Sequence, residues 1–177
     1  MEKYQLHPLI SPEEIESIVK RLADQISKDY AGKELILICI LKGAFMFLSD
    51  LIRHLRIPVK IDFVRLSSYG SKMRSSGQVE ITKDIEVSIE GKEVLIIEDI
   101  IDSGHTLKFL KDRLSLSRPN SVKVCALLDK KARREVSIEA DYLGKAIEDV
   151  FVVGYGIDVE ESYRHLPAIY YVTPIHP

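Results

Sequence analysis

The segment from Val94 to Thr106, which reads VLIIEDIIDSGHT, carries the residues best suited to chemistry. Its apolar start predicts a buried strand, and this strand leads into two adjacent carboxylates, Glu98 and Asp99. A third acid, Asp102, follows, and then come small and hydroxyl residues that open a predicted helix. Because ligands of open parallel sheets bind beyond the carboxyl ends of the strands, we expect this segment to form a binding site.

The residue types in this segment indicate a ligand that contains both a phosphate and a sugar. Backbone N–H groups of residues 103–106, the dipole of the following helix and two hydroxyls would together bind a phosphate. Glu98 and Asp99 would repel a phosphate, and they suit sugar hydroxyls or a Mg²⁺ ion that bridges to the ligand. Alternatively, Asp102 or Ser103 only caps the helix and the acid pair is a solvated strand end. The combination of features favours a ribose-phosphate site.

Three stretches of the chain resemble a known family. The first segment resembles the phosphoribosyl pyrophosphate (PRPP) signature of type I phosphoribosyltransferases: an apolar strand, two acids, two apolar residues, Asp, and then Ser/Thr-Gly-x-Thr. LKGA at 41–44 is similar to the pyrophosphate loop of the hypoxanthine-guanine branch, and FVVGYGID at 151–158, followed by Arg164, is similar to its purine-binding tail. The resemblance covers nearly the whole chain, and His105 stands at the variable position of the signature.

The resemblance implies roles for the residues of the signature. Glu98 and Asp99 would hold the ribose 2′- and 3′-hydroxyls, directly or through Mg²⁺. Asp102 would lie near N7 of a purine and act as the general acid or base. Burial or acidic neighbours would favour this role by raising the pKa of its carboxyl group. The 5′-phosphate of PRPP would be bound by Asp102 and the four residues that follow it: Ser103, Gly104, His105 and Thr106.

The two other motifs are assigned in the same way. Pyrophosphate would be bound by Leu41, Lys42, Gly43 and Arg164, and in the family the bond between the first two is commonly a cis peptide. The purine would be bound by Lys130, Phe151, Val152 and Asp158. The resemblance implies metal ligands for Mg²⁺ as well: Glu98, Asp99 and Asp158.

The basic run from Lys130 to Arg134 has two interpretations. Such runs are usually solvated faces, but Lys130 directly follows an apolar strand and so falls at the same sheet edge as the other motifs. Its ammonium would donate to the 6-oxo group of a purine and would meet only a donor on adenine, which predicts selection of hypoxanthine or guanine. Phe151 would stack on the base, or it is alternatively a core aromatic.

The stretch from Ser67 to Gly77 is rich in Ser, Gly and charge, and it is long for a loop in a compact domain. The resemblance implies a flexible active-site loop here, with Ser68 and Tyr69 closing as a lid over the reaction centre. Exclusion of water would suit a transition state with oxocarbenium character. An exposed linker is the alternative.

Composition narrows the class of protein. The 177 residues are 46% hydrophobic and 29% charged with a net charge of −2, which argues against disorder and weakens a nucleic-acid role. The longest apolar run, Leu35–Leu41, is too short to cross a bilayer, and we see no secretion signal. Cys39 and Cys125 lie in apolar runs and are expected to be buried and reduced, which fits a cytoplasmic protein.

The elements that position these motifs alternate between strand and helix. Strands are predicted at Leu35–Leu41, Val59–Phe63, Ile85–Ile89, Val94–Ile97, Val122–Leu128 and Phe151–Val153, and helices at 12–26, Ala44–Leu55 and Thr106–Leu116. This order predicts one α/β domain over residues 1–177, with a mainly parallel sheet flanked by helices. The resemblance adds a small hood built from the N- and C-terminal segments.

The function implied is that of a Mg²⁺-dependent transferase of purine salvage. It would convert hypoxanthine or guanine and PRPP to IMP or GMP and pyrophosphate, as a homodimer or homotetramer without nucleic-acid or membrane partners. An enzyme for xanthine or uracil is the nearest alternative. A PRPP-sensing regulator that binds RNA or DNA is another, and the run from Lys130 to Arg134 would be its only basic surface.

Overall fold

The computed structural model describes residues 4–69 and 78–175. The elements of this part of the chain are, in order, β1 (Tyr4–Ile10), α1 (Pro12–Asp29), β2 (Leu35–Leu41), α2 (Phe45–His54), β3 (Val59–Tyr69), β4 (Gln78–Lys83), β5 (Glu93–Ile101), α3 (His105–Ser115), β6 (Ser121–Asp129), a 3₁₀ turn (Lys131–Arg133), β7 (Tyr142–Ala146), β8 (Val152–Val153) and β9 (Ile169–Pro174). None of the described helices has both the length and the apolar character needed to cross a bilayer.

The larger sheet contains six strands in the order β4-β3-β2-β5-β6-β7. All neighbours are parallel except β3 and β4, which confirms the prediction of a mainly parallel sheet. The continuous apolar run of β2 is explained by its central place, because both of its faces are covered. Six of its seven residues are buried.

Helices cover both faces of this sheet. On one face, α1 and α2 pack on Leu35, Leu37 and Cys39 of β2. On the other face, α3 packs on Ile36 and Ile38 of the same strand. Burial of each such aliphatic side chain stabilises the fold by about 1.5–3 kcal/mol. The two apolar layers fix where the ends of the strands lie.

The first helix begins where the sequence predicts. Ser11 is its N-cap and accepts a hydrogen bond of 3.2 Å from the backbone N–H of Glu14, and Pro12 stands at the first helical position. The predicted apolar face is buried through its whole length, at Ile15, Ile18, Val19, Leu22 and Ile26.

The second sheet is the hood expected from the family resemblance. Its order is β1-β9-β8 with antiparallel neighbours, so strands from the two ends of the chain pair with each other. The hydroxyl of Tyr155 donates to Asp50 Oδ2 at 2.7 Å, which joins the segment after β8 to α2. The hood is therefore anchored to the helix that leaves the carboxyl edge of the larger sheet.

Two details of the predicted elements are wrong. Residues 85–89 form no strand, because the N–H groups of Glu86 and Val87 donate to the carboxylate of Asp62 at 2.6 and 2.9 Å and are not available for a ladder. The stretch predicted as a loop from Ser67 also begins as strand, since β3 continues to Tyr69 and pairs with β4.

The lid prediction cannot be placed on the structure. Residues 70–77 lie outside the described residues, as do the side chains of Ser68 and Tyr69.

Candidate active site

Three of the predicted site residues lie at one edge of the larger sheet. Strands β2, β5 and β6 are parallel neighbours, so the residues that follow them share the carboxyl edge. Lys42 follows β2, Asp102 follows β5 and Lys130 follows β6. The topology therefore brings together residues that are up to 88 positions apart in the chain, since 130 − 42 = 88.

The acid pair lies within β5 and not after it, because the strand runs on to Ile101. Glu98 is only 7% exposed, so the alternative of a solvated strand end is excluded. Burial, followed by the neighbouring charge of Asp99, raises the pKa of Glu98 well above its ordinary value. Asp99 Oδ1 accepts a 2.8 Å hydrogen bond from the N–H of Ile100. A cation or a set of hydroxyl donors beside Glu98 would relieve the cost of its charge.

The loop after β2 has no room for a side chain at Gly43. A β-carbon there would stand 1.8 Å from Asp99 Oδ2, and one on Gly156 would stand 2.4 Å from the carbonyl oxygen of Gly43. The loop is therefore packed between the acid strand and the segment after β8. The bond between Leu41 and Lys42 is a cis peptide.

The loop between β5 and α3 (residues 102–106) has the geometry of an anion site. Gly104 is the N-cap of α3 with a left-handed φ of 89°, and within the described part of the chain no side chain caps this helix. The alternative that Asp102 or Ser103 caps the helix is therefore excluded. The first N–H groups of a helix have no partner within it, so this end of α3 can bind a phosphate.

The segment of residues 133–135 holds the β5–α3 loop in place. Arg134 Nη1 donates to the carbonyl oxygen of Asp102 at 2.8 Å, and its Nη2 pairs with Asp129. The side chains of Arg134 and Asp129 are only 16% and 2% exposed. For Arg134, the interpretation of the basic run as a solvated face is wrong, because the ion pair is buried and structural.

Glu135 continues this support of the loop. Its N–H donates to the carbonyl oxygen of Ser103 at 3.0 Å, and its Oε2 lies 2.8 Å from His105 Nε2. The sequence pattern does not reveal this role of the segment, since the contacts depend on the β6–β7 connection folding back on the loop.

The carboxylate of Asp102 faces a cation and not an acidic neighbour. Its Oδ1 lies 3.0 Å from Arg133 Nε, but no guanidinium N–H points at that oxygen closely enough to form a hydrogen bond. The oxygen is buried and lacks a hydrogen-bond donor among the described residues. Arg133 also lies 3.5 Å from Asp149, just before the purine-tail motif. Asp102 therefore directs one oxygen at Arg133, and its side chain, which is 47% exposed, still offers an acceptor to a ligand.

Lys130 and Phe151 form a pair beside this acceptor. Lys130 is 6% exposed, and its Nζ lies 6.0 Å from the centroid of the Phe151 ring. Phe151 is 57% exposed, which excludes the alternative of a core aromatic. Val152 is buried in β8, where it pairs with Tyr171. An exposed ring beside a buried ammonium is suited to a flat, polar ligand.

The whole arrangement agrees with comparisons to known proteins. The family model described as "Phosphoribosyl transferase domain" matches residues 11–160. The chain belongs to the phosphoribosyltransferase family. A hypoxanthine phosphoribosyltransferase of Salmonella typhimurium is 45% identical over 169 residues, which cover 94% of this chain and 95% of the relative. A hypoxanthine-guanine phosphoribosyltransferase of Staphylococcus aureus is 49% identical over 166 residues, which cover 94% and 93%.

Solved structures of phosphoribosyltransferases give the same result. A crystal structure of a hypoxanthine phosphoribosyltransferase from Staphylococcus aureus has a TM-score of 0.92 and 48% identity, covering 95% of this chain and 91% of that one. A hypoxanthine-guanine phosphoribosyltransferase from Bacillus anthracis has a TM-score of 0.90 and 48% identity, covering 96% and 99%. The fold is therefore that of type I phosphoribosyltransferases.

The turn of residues 158–164 closes the site of this phosphoribosyltransferase with ion pairs. Arg164 Nη2 lies 2.8 Å from Asp158 Oδ1, and Lys42 Nζ donates to Glu161 Oε2 at 2.8 Å. The hydrogen bond from Lys42, and then that from Arg164, lowers the pKa of Glu161. Glu161 is not among the predicted site residues, and its only signal in the sequence is its place midway between Asp158 and Arg164.

Across the part of the chain that the structure describes, no group of three or more His, Cys, Asp or Glu side chains is arranged to hold a metal ion. Mg²⁺ is usually bound through one or two carboxylates together with substrate phosphates and water. The adjacent carboxylates of Glu98 and Asp99 fit that pattern. The donor set therefore suits a Mg²⁺ ion that arrives with a phosphate ligand.

Proposed function

We propose that this chain transfers the phosphoribosyl group of PRPP to a 6-oxopurine, with hypoxanthine or guanine as the acceptor and Mg²⁺ as the cofactor. In this reaction the bond between C1′ of PRPP and a pyrophosphate oxygen breaks. A new bond forms between C1′ and N9 of the purine, and the base loses one proton. The observation that carries the proposal is the buried Lys130 beside the exposed Phe151, on the same sheet edge as a helix N-terminus suited to phosphate.

The ribose phosphate is assigned to the β5–α3 loop and the acid strand. The N–H groups at the start of α3 bind the 5′-phosphate, and Glu98 and Asp99 orient the ribose hydroxyls. Mg²⁺, when bound, neutralises phosphate charge and makes the pyrophosphate a better leaving group. Glu98 and Asp99 are its proposed ligands, with Asp158 for a second ion. The buried position of Glu98 supports this assignment, because a carboxyl group within an apolar strand is costly unless a cation or hydroxyl donors meet it.

The purine is assigned to the space between Lys130, Phe151 and Asp102. Lys130 Nζ donates to the 6-oxo oxygen, and the Phe151 ring stacks on the base. The accessible part of the Asp102 carboxylate accepts the proton from N7 as the base loses its charge. Because Oδ1 is turned towards Arg133, the second carboxylate oxygen is left to meet the N–H of the ligand.

The regulator hypothesis is disfavoured by the same contacts. A nucleic-acid surface needs free cations to neutralise phosphates. Within the basic run, Arg133 contacts Asp102 and Arg134 pairs with Asp129, so both guanidinium groups are already engaged by carboxylates of the chain.

The assembly is proposed separately from the chemistry. We expect residues 1–177 to act as one domain and to associate as a homodimer or homotetramer in the cytoplasm. Light scattering on the purified protein should give a mass of two or four times 20.1 kDa, and a monomer at micromolar concentration would overturn this expectation.

A substrate panel tests the proposed function. The purified protein is incubated with PRPP, Mg²⁺ and hypoxanthine, guanine, xanthine, adenine or uracil, and the products are identified by mass spectrometry. We expect IMP and GMP, each with one pyrophosphate per nucleotide, and no IMP or GMP in excess EDTA. The sole formation of the xanthine or uracil nucleotide, or of no nucleotide, would overturn the proposal.

A further inference from the structure

The two side chains assigned to pyrophosphate, Lys42 and Arg164, are both engaged by carboxylates of the chain itself. Glu161 Oε2 lies 2.8 Å from Lys42 Nζ and 3.3 Å from Arg164 Nη2, so one carboxylate oxygen bridges the two cations. Asp158 lies 2.8 Å from the same guanidinium nitrogen. The four charges cancel, and an incoming anion therefore meets no unpaired cation in this cluster.

The two carboxylates are held very differently. Asp158 is mostly buried, and its Oδ2 accepts a 2.8 Å hydrogen bond from the N–H of Glu161, which fixes it to the turn. Glu161 is 66% exposed, and its side chain contacts the cations only through its tip. Glu161 can therefore rotate into solvent without disturbing the fold, whereas Asp158 cannot.

The backbone of the turn directs Glu161 at the cations. Val159 and Ser162 exchange hydrogen bonds of 3.3 and 2.9 Å, which closes the turn. Glu160, Glu161 and Tyr163 all have left-handed φ values, of 50°, 62° and 74°. Non-glycine residues adopt this conformation at a cost, and such positions persist mainly where the surroundings or the function require them.

We propose that Glu161 occupies the position of the substrate's diphosphate between Lys42 and Arg164 and must be displaced when that group binds. The inference rests on the proposed function, since it takes these two cations as the pyrophosphate site. A diphosphate offers several charged oxygens to the two cations, whereas Glu161 offers one, so the diphosphate wins the competition. A simple anion with less charge displaces Glu161 poorly.

Two consequences follow for the reaction. Competition from Glu161 weakens the binding of both PRPP and pyrophosphate, which speeds release of the product. It also rejects inorganic phosphate, so Glu161 is a specificity-determining residue for diphosphate groups. Exposed ion pairs contribute little to stability, and the effect of removing the carboxylate should therefore appear in anion affinity and not in Tm.

The experiment compares Glu161→Gln with the wild type and with Glu139→Gln, which removes the same charge from an exposed position on the α3 face. Pyrophosphate and inorganic phosphate, each with Mg²⁺, are titrated calorimetrically without a base, and KM is measured for PRPP and for hypoxanthine. We expect Glu161→Gln to bind pyrophosphate about three- to tenfold more tightly. KM for PRPP should fall by a similar factor, inorganic phosphate should become a stronger competitor, and KM for hypoxanthine should not change.

Pyrophosphate affinity that is unchanged or weaker in Glu161→Gln would overturn the inference, as would an equal gain in Glu139→Gln. The calorimetric titration keeps this result separate from the proposed function. If the wild type makes IMP and Glu161→Gln binds pyrophosphate no more tightly than the wild type, only the inference about Glu161 is refuted. A wild type that makes no nucleotide and binds no pyrophosphate refutes both.

Discussion

The carboxylate of Asp99 occupies the space in which Gly43 would carry a side chain. A β-carbon on Gly43 would lie 1.8 Å from Asp99 Oδ2, and the next atoms of that carboxylate are also closer than van der Waals contact allows. Since the two residues belong to different motifs, this contact sets the distance between the proposed pyrophosphate loop and the proposed ribose acids. Each motif is placed correctly only if the other keeps its shape.

Gly43→Ala should therefore damage activity without unfolding the protein. The added methyl group must push Asp99 or the β2–α2 loop by more than 1 Å, and misplacement on that scale costs about 10²-fold in rate. Gly32→Ala is the matched control, because nothing lies within 4 Å of its β-carbon and only its φ of 75° is strained. It should cost about 1–2 kcal/mol of stability and leave kcat/KM intact. Equal kcat/KM in both variants would contradict the contact's importance.

The buried pair of Arg134 and Asp129 predicts a loss of stability. Arg134→Met leaves the Asp129 carboxylate buried without a partner, which should cost about 3 kcal/mol and lower Tm by about 6–12 °C. Lys131→Met, at an exposed position of the same run, should shift Tm by about 2 °C at most. Differential scanning calorimetry distinguishes the two outcomes. Equal small shifts would mean that the whole run is a solvated face.

The raised pKa of Glu98 predicts a stability that depends on pH. The folded protein binds a proton at Glu98 more tightly than the unfolded chain, whose Glu pKa is about 4.3. The contribution of protonated Glu98 to the free energy of unfolding is therefore fully present below the pKa of the unfolded chain. It is lost as the pH rises from that pKa through the pKa of Glu98 in the folded protein.

Glu98→Gln removes this penalty, so without Mg²⁺ and substrate its Tm should match the wild type near pH 4 and exceed it increasingly at higher pH. Each kcal/mol of relief corresponds to about 2–4 °C. The same variant should bind PRPP more weakly, because the ribose site loses a charged acceptor. A Tm difference that does not vary with pH would show that the Glu98 charge is not penalised in the folded protein.

Asp102→Asn tests the proposed proton acceptor. The substitution keeps the shape of the side chain and removes its basicity, so kcat should fall by about 10²–10⁴-fold while KM for PRPP changes little. Asp149→Asn is the matched control, since it removes a carboxylate from the other side of Arg133. It should leave kcat within a few-fold of the wild type. A wild-type rate for Asp102→Asn across the pH range would assign Asp102 a structural role.

The sequence predicts the parts of the fold in which local pattern and final environment agree. The strand β2 is a continuous apolar run, β5 and β6 each contain one, at 94–97 and 124–128, and the cap of α1 is local. In contrast, β7 contains Gly144 and Lys145 and shows no clear period. The strands β1 and β9 pair with each other across about 160 to 170 residues, which no local pattern reveals. The alternating residues 85–89 mislead, because Asp62 takes up the N–H groups that a strand would need.

The candidate site also divides into residues that a local pattern places and contacts that depend on distant parts of the chain. The positions of Lys42, Asp102 and Lys130 follow from strand ends and are predictable. The contacts of Arg134 with Asp129 and of Glu161 with Lys42 join loops that are far apart in the chain or turn back on themselves, and residue spacing alone does not reveal them.

The choice of base tests the proposed function most directly. Lys130 is buried at the sheet edge, and adenine would leave its ammonium without an acceptor, which costs about 1–3 kcal/mol or more. The measurement is the ratio of kcat/KM for hypoxanthine to that for adenine, with saturating PRPP and Mg²⁺. We expect a ratio between about ten and several hundred, and this ratio should fall sharply in Lys130→Ala but not in Lys131→Ala. A wild-type ratio near one would contradict the proposed role of Lys130.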